Sequence, residues 1–364
     1  MNFPPSLQSI KRLPCLDGWR FLSIVFVLLW HSKKTDGYPS FFIKSLRWLP
    51  DGDFGVEFFF LISGFLITYL LLKEKDRSST IHLRQFYLRR AYRILPAYGA
   101  YLIVLCILVS WTSLRISTAS WIGLITYTVN FINTPWIGAH IWSLSVEEQF
   151  YLIWPFLFWL FLAKNNSIRA SFIVLFLPII IAPICRTAAF IYHNPFPIGY
   201  FSFFNRCDSL AVGCLLAFLM AFRGRQLESF IKKYPKILLL SAFLLIVVPL
   251  ILTRMFLLGI LTVPFATTSY AFGIALLIVL SILLPNLIFF RWLEWKPIAG
   301  LGVMSYSIYL WQQIFCTNPS DFGLSYAPWF LSFPYWLIPV FLVAFISYQL
   351  IEKPFLRVKS RLSS

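Results

Sequence analysis

The chain has 364 residues, of which 59% are apolar and 12% are charged, whereas soluble domains average about 45–50% and about 25%. This composition excludes a large water-soluble domain, a disordered tail and a coiled coil. The 31 Lys and Arg residues outnumber the 14 Asp and Glu residues, for a net charge of +17. Because these cations lie between apolar segments, they indicate membrane topology and not nucleic-acid binding. The 6 cysteines include no C-x-x-C motif, so neither a metal site nor a disulfide framework is expected.

Apolar segments long enough, or nearly long enough, to cross a bilayer recur along the whole chain, since a helical span needs roughly 20 residues. The first of them has no small-x-small cleavage site and is expected to be a retained helix, not a signal peptide. The shorter apolar run Trp121–Ile132 is predicted to be re-entrant or interfacial. In chain order, the predicted spans are Leu16–Ser32, Phe54–Leu72, Ile94–Trp111, Ile141–Ala163, Ala170–Tyr192, Tyr200–Phe222, Ile237–Thr253, Phe265–Leu284, Leu301–Cys316 and Phe333–Ile351.

The distribution of the cations orients these spans. With the N-terminus in the cytoplasm, most of the 31 cations fall on the cytoplasmic side, as the positive-inside rule requires. The sequence therefore predicts an all-α polytopic membrane protein with about ten transmembrane helices and both termini cytoplasmic. Residues 1–364 are expected to form a single membrane domain with no appended soluble domain.

Two ionisable residues mark the first predicted span. Arg20 and His31 are eleven residues apart, about 16 Å along a helix, so both can project from nearly the same face. Because charged groups at membrane depth tend to face a cavity or a partner, the pair is predicted to line one cavity from its two ends. The alternative is an Arg20 that snorkels to lipid phosphates and a His31 that caps the outer end of the helix.

The second predicted span begins with the sequence GVEFFFLISGF. Glu57 lies at its outer end, near the level of His31 if the topology holds. Ser63 and Gly64 are small, and they are predicted to let another helix approach closely.

The stretch after the second span is the densest in cations. Arg89, Arg90 and Arg93 stand at positions i, i+1 and i+4 of a predicted helix start. They either anchor the cytoplasmic side of the membrane or grip a phosphorylated cytoplasmic ligand, since guanidinium groups match phosphate oxygens.

Further charged and polar residues open the fourth and sixth spans. Glu147, Glu148 and Gln149 enter the fourth span near the outer face. Lipid exposure of both carboxylates would cost several kcal/mol, so one is predicted to face a cavity and the other a neighbouring helix or water. Arg206 and Asp208 begin the sixth span and are predicted to join a buried polar network, in which a structural ion pair and a substrate contact are equally open.

Taken together, these motifs resemble those of the acyltransferase-3 family of integral membrane acyltransferases. Two positions depart from the family pattern. Glu57 stands for the usual Asp, and Gln312 follows Trp311 where the family frequently has His, so no role for a histidine is carried over to that position. From residue 16 to residue 355, the matching pieces are LDGWRFLSIVFVLLWH, GVEFFFLISGFLIT, FYLRRAYRILPAY, WSLSVEEQFYLIWP, RCDSLAVGCLLA, SYSIYLW and IEKPF.

The resemblance implies a membrane-bound O-acyltransferase. The acyl group, usually acetyl, would move from cytoplasmic acyl-CoA to a hydroxyl of a glycan, a lipid-linked saccharide or a related cell-surface acceptor, in a multi-pass protein of a bacterial inner membrane. Arg20 and His31 match the essential pair of the family. Direct transfer and a covalent acyl-enzyme both stay open.

Roles for individual residues follow from this expectation. His31 would act as the general base, with Glu147 as the carboxylate that orients its imidazole. The three arginines Arg89, Arg90 and Arg93 would bind the phosphates of coenzyme A. The remaining predicted site residues are Glu57, Ser63, Glu148, Gln149, Arg206 and Asp208.

Two other functions fit part of the sequence. A transporter or permease explains many spans and buried Glu, His and Arg residues, but it does not explain the arginine cluster or the R-x10-H motif. A polytopic glycosyltransferase is the other alternative, but the outer loops of this chain have no evident acidic metal-binding or sugar-nucleotide motif. Asp51 and Asp53 form a D-x-D pair there, which is predicted to be merely solvated.

Overall fold

The computed structural model describes Pro4 and residues 13–42, 48–164, 167–192 and 201–361. These residues are mostly α-helical and contain no strand, and one isolated parallel bridge joins Asp36 to Ser332. The predicted all-α class is confirmed. Tyr200, where the sixth predicted span begins, lies outside the described residues.

Most of the helices follow one another with short connections, and the longest connections are the segments 32–51 and 316–336. A π-helical turn, Trp159–Lys164, continues α6, and a second one, Tyr348–Glu352, joins α14 to α15. In chain order, the described α-helices are α1 (Pro14–His31), α2 (Gly52–Ser78), α3 (Leu83–Trp111), α4 (Thr118–Thr126), α5 (Trp136–Ala139), α6 (Ile141–Phe158), α7 (Ile168–Ile191), α8 (Phe203–Phe222), α9 (Gly224–Lys233), α10 (Pro235–Arg254), α11 (Gly259–Leu283), α12 (Lys296–Val303), α13 (Ser305–Phe315), α14 (Leu337–Ser347) and α15 (Lys353–Arg361).

Local sequence explains where several helices begin. A serine hydroxyl can accept a hydrogen bond from one of the backbone N–H groups that a helix start leaves unpaired. Proline suits the first turn for the complementary reason, because it has no N–H to satisfy, and Pro235 opens α10. Three serine side chains accept such a bond: Ser117 from the N–H of Ser120 in α4, Ser167 from that of Ala170 in α7 and Ser202 from that of Asn205 in α8.

Within the described residues, seven helices are long and apolar enough to cross a membrane. They coincide with seven of the predicted spans, and the three others, in α1, in α6 and in α12 with α13, are also helical. The total of about ten spans and the cytoplasmic position of both termini stay predictions. The seven candidate spans are Gly52–Ser78, Leu83–Trp111, Arg169–Ile191, Phe203–Phe222, Pro235–Arg254, Gly259–Leu283 and Leu337–Val358.

Two segments differ in shape from a single long helix. The ninth predicted span is divided into α12 and α13 by Met304, whose backbone has φ −85° and ψ 0°. The run Trp121–Ile132 contains the end of the nine-residue helix α4, which stops where Tyr127 adopts the left-handed conformation. Nine residues are too few to cross a bilayer as a helix.

The chain divides into two compact units. The first comprises Met1–Ser23, Asp53–Ile81 and Val146–Gly302. Its interior is formed by α2 and α8, the two candidate spans with the largest buried share. Helices α7, α10 and α11 also pack together in this unit.

Glycine allows α2 and α8 to pack backbone against backbone. A Cβ atom on Gly64 would overlap the Leu210 carbonyl oxygen, and one on Gly213 would overlap the carbonyl oxygen of Leu61. The predicted close helix approach at Gly64 is therefore present. Small residues play this part at many helix interfaces in membranes.

The second unit comprises Ile24–Gly52, His82–Ser145 and Val303–Ser364. In it α13 packs against α3, α5 and α14, and α15 packs against α3. Helix α1 contributes its first ten residues to one unit and the rest to the other.

The apolar surface indicates which helix faces lipid. Nearly all side chains of α10 are at least partly exposed although the helix is almost wholly apolar. In water such a surface would be an aggregation site, whereas in a bilayer it lies in its preferred solvent. The large exposed residues of α10 are Ile237, Leu240, Phe243, Leu244, Val248 and Ile251.

Candidate active site

His31 ends α1 in the second unit and is held there by two side chains. Its Nδ1 atom lies 3.0 Å from Oε1 of Gln312 on α13. The edge of its ring faces Trp136, with ring centroids 5.0 Å apart and planes at 76°. Trp136 is itself fixed, because its indole N–H donates to the Cys316 carbonyl at 2.8 Å. The imidazole is thus positioned by an amide on one side and an indole on another.

A buried polar network secures α13 beside this histidine. The backbone N–H of His140 donates to Gln313 Oε1 at 3.2 Å, and His140 Nε2 lies 3.1 Å from the Leu310 carbonyl oxygen. Tyr309 donates its hydroxyl proton to the His140 carbonyl at 2.8 Å. These bonds tie α13 to the turn before α6, so the position of Gln312 follows from several independent contacts.

Arg20 lies on α1 in the first unit. Its Nη1 atom is 3.3 Å from Asp17 Oδ1, one helical turn away, and both side chains are largely buried. Gly18 lets this turn pack closely, because a Cβ there would overlap Leu293. The guanidinium is therefore held by a carboxylate of its own helix.

Glu147 lies on α6 and accepts hydrogen bonds from the hydroxyl groups of Ser63 and Tyr151. Ser63, which the sequence predicted as a packing residue, thus also bonds to a carboxylate in the first unit. Glu148 and Gln149 follow on the same helix and are half-buried, as Glu147 is.

Arg206 occupies the centre of a buried ionic cluster in the first unit. Its Nη1 atom donates to Glu57 Oε1 at 2.9 Å, and its Nη2 atom donates to Asp53 Oδ2 at 2.7 Å. The Ser209 hydroxyl donates to the second oxygen of Glu57. Asp53 was expected to be merely solvated, and this expectation is wrong, because a neighbouring helix supplies a buried guanidinium.

Asp208 belongs to a second cluster. Its Oδ2 atom accepts from Arg186 Nη2 at 2.8 Å and from the Thr268 hydroxyl at 2.5 Å. Arg186 also donates from Nε to the Pro264 carbonyl at 2.7 Å. Arg206 and Asp208 therefore do not pair with each other but join α8 to α2 and to α7 and α11, respectively.

The arginines of α3 lie in the second unit, next to the end of the chain. Arg89, Arg90 and Arg93 are all partly exposed. Arg93 attracts the buried carboxylate of Glu352, which also accepts a hydrogen bond from Ser307. Three of the sequence motifs, around Arg93, Ser307 and Glu352, thus meet in one cluster.

Some site residues could not be recognised from the sequence. Gln312 was noted only as a departure from a family pattern, and Arg186 was not singled out, yet both contact a predicted site residue. Gln312 is 281 positions from His31, so no local pattern links them. Within the described residues, no group of three or more His, Cys, Asp or Glu side chains is arranged to hold a metal ion.

Comparison with known proteins finds a matching family model and similar proteins that are named as O-acetyltransferases. A family model for an acyltransferase domain, acyltransferase-3, matches residues 13–353. O-acetyltransferase OatA of Staphylococcus aureus is 28% identical over 379 aligned residues, which cover 96% of this chain and 58% of the relative. Peptidoglycan O-acetyltransferase OatA of Listeria monocytogenes is 26% identical over 369 residues, which cover 95% and 56%. No solved structure matches significantly.

The described residues form a helical protein with seven candidate membrane spans and buried polar residues within them. The chain belongs to the acyltransferase-3 family, whose model covers nearly all of it. It spans a little over half the length of the two OatA proteins.

Proposed function

We propose that this protein is an O-acetyltransferase that moves an acetyl group from cytoplasmic acetyl-CoA to a hydroxyl of a glycan. The observation that carries the proposal is the imidazole of His31, bonded through Nδ1 to Gln312 and packed against Trp136. This arrangement holds Nδ1 against Gln312, so Nε2 points away from Gln312. A general base needs one ring nitrogen that can reach the substrate proton. The base lies within a chain that matches an acyltransferase family over residues 13–353.

The proposed chemistry needs one group that takes a proton and later returns it. His31 accepts the proton of the acceptor hydroxyl while the hydroxyl oxygen attacks the thioester carbonyl. The bond from the carbonyl carbon to sulfur breaks, and the proton passes to the departing thiolate, which leaves as free coenzyme A. Imidazole suits both steps because its ordinary pKa, about 6.5, lies near neutral pH. In the alternative route, an enzyme side chain carries the acyl group between donor and acceptor.

The donor site is proposed at the arginines of α3. Arg89, Arg90 and Arg93 present guanidinium groups, which bind phosphate oxygens through paired hydrogen bonds. Helix α15 packs against α3 and adds Lys353 and Arg357 to the same part of the second unit. Coenzyme A carries several phosphate groups, so this concentration of positive charge suits it.

Arg20 and Glu147 are proposed as further residues of the reaction, on the strength of the motifs that contain them. Arg20 would support acyl transfer as the partner of His31 in the R-x10-H motif. Glu147 would supply negative charge that favours imidazolium formation. The other network residues, Glu57, Ser63, Glu148, Gln149, Arg206 and Asp208, are proposed to shape the interior around them.

The proposed acceptor is a cell-surface glycan. The Listeria relative is named for its action on peptidoglycan, which makes peptidoglycan fragments the first acceptors to test, followed by polysaccharide repeats and lipid-linked saccharides. The proposed location is the bacterial cytoplasmic membrane, where the donor is available on one side and glycans are exported on the other.

The decisive experiment follows radiolabelled acetyl-CoA in proteoliposomes that contain the purified protein and a panel of glycan acceptors. We expect label to move into an acceptor with the wild type, and not with His31→Ala. His82→Ala is the matched control, since it removes an exposed histidine and is expected to transfer normally.

Two results would contradict the proposal. Unimpaired transfer by His31→Ala would exclude His31 as the base. Ion-dependent uptake of a solute without any loss of thioester would instead identify a transporter.

A further inference from the structure

Gln312 hydrogen-bonds directly to the imidazole of His31. Its side chain is fully buried on α13, with Oε1 3.0 Å from His31 Nδ1. Its amide nitrogen is buried and has no hydrogen-bond partner among the described residues. The hydrogen bond of this amide is therefore directed at the proposed base alone.

The chemistry of an amide oxygen decides which nitrogen of His31 carries the proton. A carbonyl oxygen accepts hydrogen bonds and cannot donate one. The 3.0 Å contact therefore requires a proton on Nδ1, which leaves the lone pair of the neutral imidazole on Nε2. Because the amide is neutral, it fixes this tautomer without the strong stabilisation of imidazolium that a carboxylate would bring.

The scaffold around Gln312 makes the bond a fixed feature. On its own helix, Ser307 bonds to Glu352, and Tyr306 donates to the Ile94 carbonyl at 3.1 Å. The neighbouring Gln313 is equally buried, but its oxygen accepts from the backbone N–H of His140. Two adjacent glutamines thus have different partners: one holds backbone and the other holds the imidazole.

We infer that Gln312 is the positioning residue of the acyltransferase, which holds His31 in the tautomer with the proton on Nδ1 so that Nε2 accepts the proton of the substrate hydroxyl. This inference rests on the proposed function of His31 as the base. Gln312 acts through His31, and its loss is expected to lower kcat more than to change the KM for acetyl-CoA.

The first test is spectroscopic and needs no activity. The protein contains 4 histidines, so ¹⁵N-histidine labelling gives few signals, and the His31 pair is assigned by its loss in His31→Gln. We expect a protonated Nδ1 and an unprotonated Nε2 for His31 above the pH at which it titrates. In Gln312→Leu we expect a mixture of both tautomers. A wild-type signal protonated at Nε2 would overturn the inference.

The second test compares activity and its pH dependence. We expect Gln312→Leu to lower kcat by about 10–100-fold, the usual effect of losing a residue that orients a functional group. Gln312→Glu places a carboxylate against Nδ1, which stabilises imidazolium, so the acid limb of the kcat/KM profile is expected to move to higher pH. Wild-type kcat in Gln312→Leu, together with an unmoved acid limb in Gln312→Glu, would overturn the inference.

Gln313→Leu is the matched control for folding. It removes an equally buried amide from the same helix, so it is expected to reduce protein yield to a similar degree without moving the acid limb. The other ionisable groups near His31 in this unit include His140 and Lys34. His140 interacts electrostatically with His31, and the Lys34 ammonium lies 5.3 Å from the Trp136 ring centroid. Both are present in every variant, so a shift of the limb reports the change at position 312.

The two proposals fail in different ways. If His31→Ala transfers acetyl normally, the proposed base is excluded whatever the glutamine variants do. If His31→Ala is inactive while Gln312→Leu and Gln312→Glu behave as the wild type does, the base stands and only the role of Gln312 is lost.

Discussion

Arg206 shows what a single residue contributes to the interior of this protein. Its guanidinium neutralises Glu57, which is 1% exposed, and Asp53 at the edge of the same helix. Charges inside a protein are costly unless they are paired and hydrogen-bonded. The cluster therefore locks α8 to α2, and it ties the stability of both helices to one side chain.

At this residue we expect Arg206→Met to lower the free energy of unfolding by about 3–5 kcal/mol, because it leaves a buried carboxylate uncompensated. The double variant Arg206→Met with Glu57→Leu removes that carboxylate as well and should regain part of the loss. Thermal unfolding in detergent, followed by size-exclusion chromatography, measures both. A double variant no more stable than Arg206→Met would contradict this account.

Contacts between residues far apart in the chain could not be predicted from the sequence. His31 was predicted because a histidine in an apolar run is conspicuous, and the R-x10-H spacing made it more so. Its partner Gln312 was not predicted, since no local pattern marks a glutamine next to a tryptophan as a partner of a histidine. The two residues in contact are 281 positions apart in the chain. Asp53 was misread for the same reason, because its partner Arg206 belongs to a different helix.

Among the helices, the crossing of α2 and α8 depends on the absence of two side chains. Gly64 and Gly213 each face a backbone carbonyl of the other helix. We expect Gly64→Leu to destabilise the protein by about 3 kcal/mol or more, because the added side chain overlaps backbone that cannot move alone.

Gly99→Leu is the control for this prediction. Gly99 lies within α3 with open space beside it, and replacing a helical glycine there is expected to stabilise the helix by about 0.5–1 kcal/mol. Melting temperatures of the two variants in the same detergent should move in opposite directions. Equal effects would show that helix propensity, and not the crossing, dominates.

Helices α3 and α15 form the proposed binding site of acetyl-CoA, the acetyl donor. Arg89→Ala combined with Arg90→Ala should raise the acetyl-CoA concentration needed for half-maximal rate, and the wild type should lose affinity as salt screens the phosphates. Lys232→Ala with Lys233→Ala removes the same charge from α9 and is expected to leave donor dependence unchanged. If the arginine variant also leaves it unchanged, these arginines serve topology alone.

Helix positions were far easier to predict than helix contacts. Each predicted span is mostly helical where the chain is described, because a run of apolar residues at membrane depth must satisfy its own backbone hydrogen bonds. The break at Met304 was not predicted, since that residue is apolar and continues the hydropathy of its segment. The pairing of α2 with α8 was suggested only by Ser63 and Gly64, which did not identify the partner helix.

For the whole molecule, the exposed apolar side chains and the placement of the cations both indicate a protein that lies in a lipid bilayer. Seven described helices meet the length and hydropathy of a span, and α10 has large exposed apolar side chains along its length. The distribution of the 31 Lys and Arg residues along the chain predicts the orientation in the bilayer, because cytoplasmic loops retain Lys and Arg.

The sidedness can be measured directly. We expect a green fluorescent protein fused after Ser364 to fluoresce, and alkaline phosphatase fused at the same position to be inactive, as both are in the cytoplasm. The same pair of reporters fused within the segment 112–117 should give the opposite result. An active phosphatase at the C-terminus would place that terminus outside and contradict the predicted topology.

The glycine crossing has a consequence for genetics. A screen that scores survival or surface modification will deplete substitutions at Gly64 and Gly213 as strongly as those at His31, although the proposed mechanism assigns the two glycines no part in the chemistry. Only a parallel score for protein abundance in the membrane separates the two classes. Depletion with normal abundance marks residues of the chemistry, whereas depletion with lost abundance marks the places where two backbones touch.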